Sequence, residues 1–242
     1  MTFPFQKGRY GARFAGSAED ICACQRLRHL CFLGVPGVDA DSFDDICRHL
    51  MIEDTSGRLI ATVRVFEMLT GAQVSTGYAA QFYDLRGLAQ LDKPMIEIGR
   101  FCAAADVLDA DVLRVAWGAL TQLVDRDQVA LLFGCTSFQG TDPAAYGQAF
   151  ARLASRHLGP IALRPGTKAP EAVPLAQVNR TGATPMPPLL RTYLAMGGWV
   201  SDHAVIDHHF NTFHVFTCLE VARVPHSRAR ALRALAQDAP LS

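Results

Sequence analysis

At 242 residues, half of them hydrophobic, the chain can bury a substantial core, and its length fits a single domain over residues 1–242. Its 23 Lys plus Arg balance 23 Asp plus Glu, which excludes an overall field for nucleic acid or an anionic membrane and leaves only local basic patches. No apolar run reaches signal or membrane-span length, so the expected location is the cytoplasm.

In chain order, Tyr10–Ala15 alternates like a short strand. Ser17 then caps a helix over Ala18–Phe32, with Ile21, Cys24, Leu27, Leu30 and Cys31 as its apolar stripe. Gly34, Pro36 and Gly37 end it. An acidic loop, Asp39–Asp45, leads to two strand-like runs, Cys47–Glu53 and Leu59–Phe66, which the turn at Asp54–Gly57 makes a hairpin. The polar stretch Thr70–Lys93 holds at most a short helix. Met95–Ala103 reads as a strand with charge in its middle, Val112–Val124 as a helix, Val129–Thr136 as a buried strand, and Pro143 opens a helix through His157. This alternation predicts an α/β (α+β) fold with a central sheet of mixed direction flanked by helices. The proline-rich stretch 164–188 reads as a surface crossing. A C-terminal extension, 189–242, adds a helix over Leu189–Met196 stopped by Gly197-Gly198, a strand over Phe213–Val221 and a terminal helix from Pro225 to near Ala236.

Seven cysteines, Cys22, Cys24, Cys31, Cys47, Cys102, Cys135 and Cys218, include no C-x-x-C pair and read as buried reduced thiols. The densest histidine group, His203, Asp207, His208, His209 and His214, lacks paired zinc-ligand spacing, and His208 and His209 point apart on a strand; no metal is expected. More informative are charges inside apolar elements, because a buried charge needs a partner. They are Arg28 with Phe32 one turn on, Asp41 and Asp44 around Ser42-Phe43, Arg64 in Thr62–Val65, and Glu97 with Arg100 in Ile96–Phe101.

In order and spacing these residues resemble R-x-x-x-F, D-x-F-D, a V-R strand and E-x-x-R-F, the pattern shared by acyl-homoserine-lactone synthases and the N-acyltransferases of ornithine-lipid synthesis. Phe133–Asp142, Met186–Leu194 and Phe210-Asn211-Thr212 look like segments of the lipid enzymes. Leu33–Pro36 stands where lactone synthases usually carry a tryptophan. The resemblance therefore implies a GNAT-like fold of the ornithine-lipid type, with a mainly antiparallel sheet splayed at its catalytic strands. The implied activity moves a 3-hydroxy fatty acyl group from acyl carrier protein onto an amino-acid α-amine, ornithine first among candidates with glutamine, lysine and glycine as alternatives, giving a lyso-aminolipid.

On this resemblance the pantetheine arm enters between the strands of Glu97 and Cys135, lined by Gly99, Phe101, Cys102, Cys135 and Thr136. Gly99 suits a bulge, and an N–H near it suits a thioester oxyanion. Glu97 is the candidate base, acting through water, because a glutamate near pKa 4.3 lies well below an α-ammonium near about 8; its alternative is pairing with Arg28, Arg64 or Arg100. Those arginines hold a substrate carboxylate bidentately, while Asp41 and Asp44 receive a side-chain cation of the substrate or brace the arginines. Tyr146 is a candidate acid for the leaving thiolate, with ordinary packing as its alternative.

No R/Q-x-x-G-x-G/A loop follows the Glu97 strand; Ala103–Asp109 stands there, which favours acyl carrier protein as co-substrate over acetyl-CoA, with no bound cofactor. Arg114, Arg152, Arg156, Arg164 and Lys168 are candidates for its docking patch. A lyso-lipid product implies transient contact with the inner membrane face, for which Arg223–Gln237 is an amphipathic candidate, with core packing as the other use of its apolar face. His49 and Asp54 match the H-x-x-x-x-D of glycerolipid acyltransferases, but five apart on a strand they face opposite ways. A homoserine-lactone synthase and a non-catalytic GNAT-like binding module are the alternatives, distinguished by product.

Overall fold

The computed structural model describes residues 5–107 and 109–237; Leu108 of the Ala103–Asp109 segment lies outside them, as do residues 1–4 and 238–242. Strands β1 (Phe5–Lys7) and β2 (Tyr10–Phe14) run into helix α1 (Ala18–Leu33). Ser17 caps α1 as expected, its hydroxyl accepting from Asp20 N at 3.2 Å, and Gly34 closes it at φ 73° with its N–H on Leu30 O. The hairpin follows as β3 (Arg48–Asp54) and β4 (Leu59–Met68). Asp54 builds the turn by accepting from Ser56 N at 2.9 Å and Arg58 N at 3.1 Å.

The polar stretch forms 3-10 turns at Gly71–Thr76 and Ala79–Gln81, strand β5 (Tyr83–Asp84) and the one-turn helix α2 (Arg86–Ala89). Then come β6 (Met95–Ala103), α3 (Ala110–Arg126), β7 (Leu131–Gln139), a 3-10 turn at Pro143–Tyr146 and α4 (Gly147–Arg156), in the predicted order. The proline-rich stretch carries β8 (Gly166–Thr167) and β9 (Ala172–Pro174); α5 (Pro188–Ala195), β10 (Trp199–Asp207), β11 (Thr212–Glu220) and α6 (His226–Gln237) complete the chain.

Three expectations change. The stretch 164–188 is more than a surface crossing: β9 pairs with β10 from His203↔Pro174 to Val205↔Ala172, and Leu175 is buried in the core. Prolines break periodicity without forbidding an edge strand. Strand β10 has no counterpart among the predicted elements, because Ser201, Asp202 and His203 interrupt its apolar pattern, yet Ser201 and His203 are buried. His208 and His209 sit in the turn after β10, not on a strand, and His208 pairs with Glu171.

The chain forms two compact units. The first holds residues up to Glu67, Ile98–Val129 and those from His226 onward. Its strands lie in the order β1-β2-β3-β4-β6, antiparallel from β1 to β4. Helix α3 buries Val112, Val115, Leu120 and Leu123 and packs on these strands and on α6, where Arg233 pairs with Asp125 at 2.8 Å. Leu232 and Leu235 of α6 are half-buried, so the terminal helix uses its apolar side for packing.

The second unit holds Met68–Glu97 and Ala130–Pro225. Its strand order is β6-β7-β11-β10-β9, with β6 parallel to β7 over Met95↔Leu131 to Glu97↔Phe133 and the other pairs antiparallel. One face packs Phe138, Phe213 and Val215 against Phe150, Leu153 and Leu190 of α4 and α5. Its opposite face carries Phe133, Cys135 and Ser137 across from Cys218, Phe216 and His214. Strand β6 thus gives Met95–Glu97 to one unit and Ile98–Ala103 to the other.

Candidate active site

In the first unit, α1, the acidic loop, β4 and β6 bring three arginines to three aspartates. Arg28 is fully buried: Nε donates to Asp39 Oδ2 at 2.9 Å, Nη1 and Nη2 grip Asp44 at 2.9 Å each, and Nη2 also reaches Asp39 O. Arg64 Nη1 donates to Asp41 Oδ1 at 2.5 Å and Asp44 Oδ1 at 3.0 Å, and Arg100 reaches Asp39 Oδ2 at 3.0 Å and Asp41 Oδ2 at 3.2 Å. Asp41 caps the Ser42–Asp45 turn and closes a capping box with Asp44, which fixes both carboxylates on one short segment. Guanidinium and carboxylate charges balance within the cluster.

Burial raises the Asp44 carboxyl, but the hydrogen bonds from Arg28, Gln25 and Arg64 outweigh it and hold the group well below the usual carboxylate range. Burial also pushes His49 down, against the pull of Asp44 whose Oδ1 lies 3.8 Å from Nε2. His49 therefore belongs to the neighbourhood of this cluster, while Asp54 serves the hairpin turn; the two do not form a dyad. Asp39 and Gln25 are members that charge patterning did not single out. Asp39 lay in plain view as the first residue of the acidic loop, and the buried guanidiniums it bridges are what distinguish it.

The irregular backbone expected at Gly99 lies at the next residue. Arg100 has φ 52°, a left-handed backbone inside β6, whereas a Cβ at Gly99 would meet nothing within 4 Å. A non-glycine residue there costs about 1–2 kcal/mol, and the grip of Asp39 and Asp41 on the Arg100 side chain holds it in place. Next along, Phe101 is half-buried, as is Phe32 on α1, and Cys102 is buried. A hydrogen bond with Cys31, and then burial, push the Cys102 thiol up.

In the second unit the notable group is Glu97. It is 4% exposed, and its carboxylate accepts from Tyr78 N at 2.9 Å and Ala79 N at 2.6 Å. The chain turns closely around it: a Cβ on Gly77 would lie 2.2 Å from Glu97 Oε2. No signal in the polar stretch beyond its glycine marks this cradle. Each oxygen takes one backbone N–H, which fixes the orientation of the carboxylate. Thr136 is buried on β7 and Cys135 half-buried. Tyr146 donates from its hydroxyl to Gln139 O at 3.2 Å and packs edge-on against Phe138 and Phe213, an arrangement that packing accounts for.

The basic candidates divide. Arg114 pairs with Asp111, Arg164 with Asp202, and Lys168 donates to Ala80 O at 2.5 Å. Arg152 and Arg156 make no ion pair among the described residues; together with Arg180 and Arg191 they line two adjoining pockets on α4 that no acidic side chain lines. At the start of α3, Asp109 accepts from Asp111 N at 2.9 Å and is itself bound by Arg9. A carboxylate thus occupies the helix N-terminus where many acetyl-CoA enzymes cradle phosphate. All seven cysteines are reduced thiols, three buried and four half-buried.

Residues 32–118 match the acetyltransferase (GNAT) domain family. The chain is 32% identical over 232 residues to an L-ornithine Nα-acyltransferase of Rhodobacter capsulatus, spanning 87% of this chain and 90% of that one. The chain belongs to the L-ornithine Nα-acyltransferase family. A second member, from Brucella abortus, is 30% identical over 246 residues, covering 90% of this chain and 87% of its own. Among solved structures, FeeM, an N-acyl amino acid synthase from uncultured soil microbes, aligns over 98% of this chain and 99% of its own with TM-score 0.52 at 13% identity, a likeness of fold. The GNAT-like acyltransferase fold expected from the charged pattern is the one observed.

Proposed function

We propose that this chain transfers a 3-hydroxy fatty acyl group from acyl carrier protein to the α-amine of ornithine, making a lyso-aminolipid. The family relatives named for ornithine support the acceptor. The observation that carries the chemistry is Glu97, a buried carboxylate fixed in position by two backbone N–H groups. Acting through a water, Glu97 takes a proton from the ornithine α-ammonium. The freed nitrogen attacks the thioester carbonyl, the N–C bond forms, and the C–S bond breaks as the tetrahedral oxyanion collapses. The departing sulfur takes the second nitrogen proton.

Arg28, Arg64 and Arg100 serve mainly as a braced scaffold, since Asp39, Asp41 and Asp44 already engage them. Phe32, Asp41 and Asp44 border the acceptor, and Gly99, Phe101, Cys102, Cys135 and Thr136 are the residues assigned to the thioester arm. For the donor, Asp109 at the start of α3 disfavours a pyrophosphate, and Arg152 and Arg156 on α4, without an ion pair among the described residues, suit the acidic helix of a carrier protein. No helix among the described residues is long and apolar enough to cross a membrane. Leu30, Leu33, Val35 and Val38 are exposed together at the end of α1 and the loop after it, which suits transient contact with a membrane face better than α6 does.

The test is to incubate purified protein with 3-hydroxyacyl carrier protein and a panel of amino acids, and to identify products by mass spectrometry. N-acylornithine is expected. Release of carrier thiol without any N-acylated amino acid overturns the reading, and a lactone formed from S-adenosylmethionine replaces it with signal synthesis.

A further inference from the structure

One buried cluster of the second unit takes no part in the chemistry above. On the sheet face that carries Cys135, His214 and His203 are each 2% exposed. Tyr83 leans on both, with ring centroids 5.2 Å from His203 and 5.6 Å from His214. Phe82 meets His214 edge-on at 4.9 Å, and Phe216 meets Tyr83 at 5.6 Å. The surroundings are aromatic and buried, an expensive place for an unmet polar atom.

Tautomers follow from the hydrogen bonds. Tyr83 Oη lies 2.9 Å from His214 O, which can only accept, and 3.1 Å from His214 Nδ1, whose role depends on the tautomer; we assign the phenol proton to the nearer carbonyl. With that assignment, His214 Nδ1 donates its own hydrogen to the phenol oxygen. That leaves Nε2 of the neutral ring as a bare acceptor. Burial pushes the His214 pKa down to about 4, so the ring stays neutral near pH 7. Similarly His203 Nδ1 lies 2.8 Å from the Asp202 carboxylate and donates to it. Both Nε2 atoms are buried and have no hydrogen-bond partner among the described residues.

The position of these acceptors is informative. His214 pairs with Ser137 and Phe216 with Cys135, which makes Cys135 and His214 diagonal neighbours on one face, about 7–8 Å apart. Glu97 pairs with Phe133 two residues before Cys135, on the same face. Ser137, directly across from His214, is exposed and Cys135 half-buried, so the face is open beside the ring. A group that satisfies a neutral acceptor in an aromatic wall is itself a neutral donor attached to an apolar body. Ammonium and water-rich head groups do not fit, because they lose solvation there. A hydroxyl on an alkyl chain does.

We infer that His214, with His203 beside it and Tyr83 setting its tautomer, reads the 3-hydroxyl of the donor's acyl chain and so selects hydroxylated over plain fatty acyl groups. This rests on the proposed acyl transfer and adds the residues that choose its substrate. The hydroxyl donates to His214 Nε2; a hydroxyl on the third carbon lies within a side chain's length of a thioester held near Cys135. A donor without it leaves Nε2 unmet, a penalty that the hydroxylated chain escapes.

The experiment compares carrier-protein thioesters of 3-hydroxytetradecanoate and tetradecanoate, as kcat/KM for transfer to ornithine and as Kd by calorimetry. The wild type is expected to favour the hydroxylated donor by on the order of tenfold or more. His214→Phe should bring the ratio near one, and His214→Gln, which keeps an acceptor at the end of its side chain, should preserve most of it. Tyr83→Phe, which frees the tautomer, should fall between. Equal loss on both donors in His214→Phe, or an unchanged ratio, overturns the assignment and leaves the ring a packing or water-holding role. Should His214→Phe fail to fold, the Gln and Tyr83→Phe ratios decide. A wild type that acylates ornithine equally from both donors sinks this inference and spares the transfer reaction. If no amino acid is acylated at all, the function reading fails, and the Kd ratio still decides the hydroxyl site.

Discussion

Asp44 and Glu97 are both buried carboxylates, and they are held in opposite ways. Asp44 is gripped by guanidinium charges from Arg28 and Arg64, on both of its oxygens. Glu97 is positioned by Tyr78 N at 2.9 Å and Ala79 N at 2.6 Å, backbone donors from one tight turn. A full ion-pair network spends a carboxylate's capacity on structure, since removing either side strands a buried charge. Backbone donors fix a carboxylate's position while leaving it able to exchange a proton. The first arrangement is a brace and the second a placed reagent.

Glu97→Gln is expected to produce the largest effect, a loss of about 10²- to 10⁴-fold in kcat/KM. Its amide has one acceptor oxygen for two N–H groups, so thermal stability should also fall, by about 1–3 kcal/mol. An unchanged rate removes Glu97 as base and erases the contrast. Arg28→Ala should act on stability instead, costing about 3–5 kcal/mol because Asp39 and Asp44 lose a shared partner in the interior. Denaturant melts read this, and a variant that keeps its midpoint while losing activity would make the cluster a substrate site.

Titration sharpens the comparison in two windows. Asp44 is depressed in the folded protein, so its share of stability is present above the unfolded value of about 4 and lost as pH falls further, through the folded value. His214 is depressed as well, to about 4. As pH drops from about 6.5 the unfolded ring takes a proton that the folded ring refuses, and stability declines by up to about 3 kcal/mol before levelling near the folded value. Melts of His214→Phe should show a shallower slope in that window; an identical slope assigns the decline elsewhere. The smallest effect concerns arginines that lack a brace. Arg152→Glu combined with Arg156→Glu should raise KM for the carrier-protein donor by about tenfold, more at low salt, with kcat little altered. An unchanged KM moves donor docking off α4.

The charged residues were legible in the sequence because their cost is local: an arginine in an apolar stripe or a glutamate in an apolar strand declares that a partner exists. Arg28, Asp41, Asp44, Arg64 and Arg100 do come together. Strands β6 and β7, helix α3 and the β3–β4 hairpin follow their periodicity for the same local reason. Strand β10 was hidden because its serine and histidine are buried but read as surface residues, and β9 because its prolines look like a crossing.

Sequence alone therefore determined the family pattern, the order of elements and which charges need partners, since these depend on residue type and spacing along one chain. Tertiary structure decided who the partners are. That Asp39 bridges two arginines, that Arg100 rather than Gly99 takes the left-handed backbone, that Gly77 lets two amides reach Glu97, and that His214 keeps one nitrogen unmet among the described residues all depend on groups far apart in sequence. Hydrogen bonds are directional and short, so only the folded backbone fixes which donor meets which acceptor.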